Sequence, residues 1–178
     1  MSEPWLVVID MQHVFAAGTP WSSPDYATAA AGVERLRPAF GERVVLTRYV
    51  APARPEGAWV RYFEQWPFAL VPSDDPIYQL TLDPADHRVV TRETFGKWGP
   101  ELAEATGGTD ELVLAGVSTD CCVLSTALAA ADAGVHVRVA ADACAAASPE
   151  DHRRSLDAMA FYAPLVEITT VDQVLGGD

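Results

Sequence analysis

Apolar residues fall into six short runs along the chain: WLVVI (5–9), RVVLTRY (43–49), HRVVT (87–91), ELVLAGV (111–117), VHVRVA (135–140) and LVEIT (165–169). Apart from VHVRVA they do not alternate strictly with polar residues, as a strand with one wet face would, and runs without that alternation are predicted to be strands covered on both sides. Helix-like stretches separate the runs, and this alternation predicts an α/β fold: a three-layer, mainly parallel, six-stranded Rossmann-like sheet with helices on both faces. Two helix starts are readable. Ser23-Pro24-Asp25 and Ser148-Pro149-Glu150 each set a capping hydroxyl before a proline at the first helical position, followed by acids that suit the positive end of the dipole.

One segment breaks the rhythm. Residues 51–86 are rich in proline and carry Trp59, Tyr62, Phe63, Trp66 and Phe68. An excursion of that length in a compact domain is expected to be a lid or a contact surface. Its rings either staple the excursion to the body or a second subunit, or line a substrate pocket, and the two roles are compatible.

Length and composition narrow the class. A chain of 178 residues with 49 % apolar content is expected to form a single domain over 1–178. No apolar run approaches the roughly 18 to 20 residues that cross a bilayer, and the start shows no basic leader, so a cytoplasmic protein is expected. With 25 acids against 12 bases, the formal charge of −13 disfavours nucleic acid and anionic membranes as partners. Three cysteines give no disulfide framework, and a bridge between neighbours Cys121 and Cys122 would be strained, so reduced thiols are expected. Neither CxxC nor HExxH occurs, and no GxGxxG follows a strand, so neither metal nor cofactor is expected.

In an open parallel sheet, ligands bind beyond the carboxyl ends of the strands where the strand order reverses. If the first three strands wind one way and the fourth returns beside the first, that crevice lies between Asp10 in VVIDMQ (7–12) and the cysteine pair in GVSTDCCV (116–123). Asp10 at a strand end suits a general base, and equally a turn cap. Thr119 or Asp120 is positioned to cap a following helix whose first turn would hold the thiols among free backbone amides, a place that favours thiolate. A buried cysteine is otherwise inert packing.

These residues, with RETFGKW (92–98), resemble the isochorismatase-like cysteine hydrolases, which include nicotinamidases and N-carbamoyl amidohydrolases. The carried pattern is an aspartate in V-I-D-M-Q, a lysine ahead of F-[SG]-x-[FW], and G-[VI]-x-T-x-x-C-V, in this order across nearly the whole chain. The resemblance implies that Cys122 is the nucleophile, Asp10 its base, and the backbone N–H groups of Ser118 and Cys122 an oxyanion hole. It also implies a cis peptide at Val117–Ser118. Cys121 holds a variable place and is expected to pack, as is Cys144; Asp142 matches a recurrent family aspartate of structural role. The middle motif departs from the pattern, because Arg92 stands where the family has lysine and Lys97 lies five residues later. Either supplies the site cation, or neither does and both are solvated surface charges; an arginine there would never lose its proton.

Phe15, Trp59, Tyr62 and Trp66 are the expected substrate-binding rings. The segment TRYVAPARPEG holds no histidine or aspartate where nicotinamidases carry a metal site, so no metal is expected, and the four histidines are read as non-catalytic. The resemblance thus points to a cysteine-dependent hydrolase of a C–N bond in a small amide or ureide, acting as a homo-oligomer. The alternatives are isochorismatase-type vinyl-ether hydrolysis, which would leave the thiol unneeded, and a catalytically weak paralogue serving as a binding or assembly protein.

Overall fold

The six apolar runs pair into one all-parallel sheet in a computed structural model that describes residues 3–176. Its strands are β1 (Trp5–Ile9), β2 (Val44–Tyr49), β3 (Arg88–Arg92), β4 (Glu111–Val117), β5 (His136–Ala145) and β6 (Val166–Thr169), ordered β3-β2-β1-β4-β5-β6. The chain winds outward from β1 to β3, then crosses back to lay β4 beside β1. The point where the order reverses therefore lies between the ends of β1 and β4.

Successive side chains of a strand enter opposite layers. Leu6, Val8, Val44, Leu46, Val113 and Ala115 pack against α2 (Tyr26–Phe40) and α7 (Val171–Val174). Val7, Ile9, Val45, Leu112 and Leu114 face α4 (Pro100–Ala105), α5 (Leu124–Asp132) and α6 (Pro149–Ala160). Burial on both sides is why these strands read as continuous apolar runs. Among the described residues no helix is long and apolar enough to cross a membrane.

The caps divide. Ser148 caps α6 by accepting the Asp151 N–H at 3.1 Å, with Pro149 in the first turn. Ser23 does not cap α2, which begins after Asp25; its buried hydroxyl donates instead to the Ala146 carbonyl at 2.6 Å, tying the loop to the end of β5. Asp142 accepts the Val171 N–H at 2.7 Å and anchors the start of α7.

The excursion contains α3 (Ala58–Gln65) and two short 3₁₀ turns, Pro67–Ala69 and Pro76–Tyr78. Thr81 closes it against the body by donating its N–H to the Met11 carbonyl at 2.8 Å. Gln12 fixes the same corner: its Nε2 donates to the carbonyls of Tyr49 and Tyr78, each at 2.8 Å, and its Oε1 accepts the Tyr49 N–H at 2.8 Å.

Gly116 sets the approach of the two central strands. Its φ is +119°, and a Cβ there would lie 2.2 Å from the Ile9 carbonyl oxygen. Only glycine lets β4 come so close to β1, one residue before Asp10 leaves the sheet.

Candidate active site

Asp10 follows the last residue of β1 with a φ of +46°, a left-handed conformation that aspartate tolerates better than most residues. Its carboxylate is fully buried. Thr47 of β2 donates to Oδ1 at 2.6 Å, and its hydroxyl also receives the Asp10 N–H at 3.2 Å. Lys97 Nζ stands 2.9 Å from Oδ2, with both side chains 0 % exposed. That contact is an ion pair without hydrogen-bond alignment: Nζ donates to the Thr94 carbonyl at 2.6 Å, leaving Oδ2 without an aligned donor. A free lone pair on a buried, charge-balanced carboxylate is what a proton acceptor needs.

The thiol arrives from β4. After the cis Val117–Ser118 peptide, the backbone enters one wide helical turn, Thr119–Val123, which runs directly into α5. The Ser118 carbonyl accepts the N–H groups of Cys121 at 3.2 Å and Val123 at 3.0 Å, and the intervening Cys122 N–H is not among its donors. Such π-type turns recur at functional sites because they release backbone groups from the ladder. Neither expected cap is made: Ser118 holds the N-cap position, Thr119 Oγ1 pairs with His152 Nδ1 at 2.9 Å, and Asp120 accepts the Ser118 hydroxyl.

Burial pushes the Cys122 thiol well above its ordinary range, and the Asp10 charge adds to the effect; the Lys97 ammonium and the Ser118 backbone N–H oppose it. This reverses the thiolate expected at a helix start. Desolvation of a fully buried sulfur beside a carboxylate outweighs the amides of one turn. Thr126 joins the two halves of the site, since its Oγ1 receives the Lys97 N–H at 2.9 Å and donates to the Cys122 carbonyl at 2.7 Å.

Cys122 opens onto a cavity of about 350 Å³ walled by Phe15, Trp21, Tyr49, Tyr62, Trp66 and Phe95. Asp120 is the charged residue on that wall, and Ser118 and Cys121 complete its polar side. Trp21 organises the rings, stacking on Phe15 at 6.0 Å and meeting Phe68 edge-on at 5.1 Å.

The structure brings Asp10, Lys97, Ser118 and Cys122 together, with Phe15, Tyr62 and Trp66 on the cavity wall. Arg92 is not with them, contrary to one of the expectations. It ends the edge strand β3, two strands out from β1, and its guanidinium lies over Gly99 and 3.9 Å from Glu101 Oε2. A fully buried niche beside one carboxylate holds a single ammonium, whereas a guanidinium would bring five donors to satisfy. Trp59 is not on the wall either. It sits behind it, edge-on to Phe95 at 5.1 Å and to Tyr62 at 5.3 Å.

Cys121, expected to pack, is half-buried and lines the cavity, and burial together with Asp120 and Asp151 pushes its thiol up to about 11. Cys144 is buried at the end of β5 opposite Gly116. Among the described residues no histidine lines the cavity, and no three His, Cys, Asp or Glu side chains converge as metal ligands. Tyr49, the last residue of β2, contributes its ring to the wall. Sequence reasoning missed Thr47, Thr126, Tyr49 and Trp21. Only Thr47 and Tyr49 gave a signal, as polar groups inside and at the end of an apolar strand.

The isochorismatase-domain family model matches residues 4–173. An uncharacterized isochorismatase family protein, YecD, from Escherichia coli O157:H7 is 29 % identical over 96 % of this chain and 93 % of its own. Among solved structures, a cysteine hydrolase from Pseudomonas syringae pv. phaseolicola 1448A superposes with a TM-score of 0.83 at 20 % identity, covering 97 % of this chain and 91 % of that one. N-carbamoylsarcosine amidase from Thermoplasma acidophilum does so with 0.76 at 19 %, covering 96 % and 98 %. At those identities the two structures establish the fold alone, and it is the family model, matching nearly the whole chain, that makes this protein a member of the isochorismatase-like hydrolase family.

Proposed function

We propose that the chain is a metal-independent cysteine amidohydrolase that cleaves a C–N bond of a small amide or ureide through an acyl-thioester on Cys122. The observation that carries this reading is the Asp10–Lys97 pair at 2.9 Å, buried beside a cysteine that opens onto an aromatic cavity. Asp10 takes the thiol proton as sulfur attacks the carbonyl carbon. The carbonyl oxygen, now anionic, is held by the backbone N–H groups of Ser118 and Cys122, each worth about 3 to 4 kcal/mol in comparable sites. The intermediate collapses with loss of the amine, which leaves with the proton from Asp10. Water then attacks the thioester, giving its proton to Asp10, and releases the acid and the free thiol. Throughout, Lys97 holds Asp10 in place and balances its charge.

Six aromatic rings and one carboxylate on the wall favour a substrate without negative charge. Screening small uncharged amides and ureides for ammonia release tests the reading, with Cys122→Ala as the control. Turnover abolished by that change, with an acyl-sized mass increase trapped on Cys122 in the parent, is the expected result. Turnover that persists in Cys122→Ala refutes the nucleophile.

A further inference from the structure

Beside its six aromatic rings the cavity wall carries one charged side chain, Asp120. Its Oδ1 accepts the Ser118 hydroxyl, and with burial it helps to push up the Cys121 thiol, so the carboxylate lies between two groups that also line the cavity. Oδ2 makes no protein hydrogen bond among the described residues. It is nonetheless not sealed: the side chain is only half-buried, and this oxygen stays open to solvent where the unpaired Asp10 Oδ2 and the Tyr49 hydroxyl do not.

Nothing positive balances that carboxylate. Lys97 is committed to Asp10 and Arg92 to Glu101. Burial lowers His152, the imidazole in its field, below its ordinary value and keeps the ring neutral at pH 7. Asp10 and Lys97 cancel, so the site keeps the negative charge of Asp120, to which Asp25 and Asp151 add from beside it. Over the whole chain the formal charge of −13 draws cations toward the mouth. Ring faces, those of tryptophan most of all, also attract a cation once it is desolvated, and Trp21 and Trp66 stand on this wall. A primary ammonium would leave its three donors facing rings, whereas an alkylated one has few or none to satisfy.

We infer that Asp120 determines specificity: among small amides the site selects those whose acyl part ends in an alkylated or quaternary ammonium, held by the rings with Asp120 Oδ2 as its counter-ion while the amide carbonyl lies at Cys122. The inference deepens the amidohydrolase reading, on which the choice of amide probes rests.

The test is calorimetric binding to the Cys122→Ala protein of betaine amide, its homologue with two further methylenes, and the isosteres of both in which carbon replaces the quaternary nitrogen. In at least one pair the cation is expected to bind about tenfold more tightly than its isostere at low salt, and the ratio shrinks about threefold when NaCl is raised to about 0.5 M. Adding Asp120→Asn, which keeps an acceptor for the Ser118 hydroxyl, brings the low-salt ratio to about threefold or less, the share of the rings alone. A structural role for Asp120 would weaken cation and isostere alike and leave the ratio unchanged, which overturns the assignment. So do pairs that bind alike before Asp120 is changed, a ratio that ignores salt, or no measurable binding by any of the four. Should the double variant fail to fold, the salt dependence in the Cys122→Ala protein decides. Binding is read without turnover, so the preference without ammonia release from either cationic amide by the Cys122 form refutes the amidohydrolase and leaves the Asp120 assignment standing; ammonia release without the preference does the reverse.

Discussion

Replacing Lys97 by methionine keeps the shape of the buried chain and removes its charge, leaving Asp10 unpaired where no water reaches it. At 2.9 Å the pair attracts by about 6 kcal/mol for an effective dielectric constant of 20. Desolvation of two ions offsets much of that, so the intact pair adds little net stability, while breaking it costs about 3 to 5 kcal/mol. Asp10→Asn strands Lys97 in the same way. The double variant Asp10→Asn/Lys97→Met removes both charges and should be markedly less destabilised than the sum of the two, with a coupling of about 3 kcal/mol. Urea unfolding of the four proteins at neutral pH, followed by tryptophan fluorescence, closes the cycle. Losses that simply add, within about 0.5 kcal/mol, would refute the buried pair and with it the placement of Lys97. Lys97→Arg should fail to rescue, since the niche has no partners for a guanidinium's further donors.

Gly116→Ala drives a Cβ into the Ile9 carbonyl at 2.2 Å, backbone against backbone, and is expected to lower stability by at least about 2 kcal/mol and to abolish turnover, read by thermal unfolding and ammonia release. Thr126→Val unpairs the Lys97 N–H and the Cys122 carbonyl, lowering kcat more than it changes KM, and Thr126→Ser restores the rate; a rise in KM alone would contradict this role. Cys144, whose thiol burial pushes from 9.0 up to about 12, binds its proton more tightly folded than unfolded, so its contribution is full below the unfolded value and lost as pH rises through 9 toward 12. Between about pH 8 and pH 10 this removes roughly 1.4 kcal/mol, and Cys144→Ala should flatten that slope in urea titrations.

The central strands β1, β2 and β4 were legible because burial on both faces writes them as unbroken apolar runs, whereas the edge strand β3 is largely exposed and was legible from its valines alone; five of the six strands end within a residue of their runs. β5 extends past Ala140 to Ala145, where alanines replace branched residues beneath Gly116 and Val117 and the propensity signal fades. Asp10 and Cys122 were legible as chemistry stranded at the ends of adjacent hydrophobic strands. The site cation was not, because Arg92 and Lys97 flank the same short turn and local sequence treats them alike. What separates them is a contact between residues 29 apart, the Lys97 N–H on Thr126, which folds the loop inward while Arg92 stays at the sheet edge. The rings of α3 misled differently. Trp59, Tyr62 and Trp66 share a helical face, but that face is longer than the cavity, so its first ring packs on Phe95 and Phe63 while the other two line the wall.

The arrangement accounts for why a carboxylate, and not only a helix start, stands beside the sulfur. An isolated helix start lowers a thiol's proton affinity through partial charges of about half a unit, a modest effect that fades within a turn. Full burial acts the other way and more strongly, and here it wins. The resting thiol is therefore protonated at neutral pH, and in the proposed reaction its proton must move as the carbon–sulfur bond forms. That transfer needs an acceptor that is already ionised, aligned and dry. Thr47 orients one oxygen of Asp10, Lys97 stands 2.9 Å from the other as its buried counter-ion, and Oδ2 retains the lone pair to receive the proton. In the proposed reaction the same geometry lets the departing amine collect that proton, so one carboxylate serves both halves of the cycle.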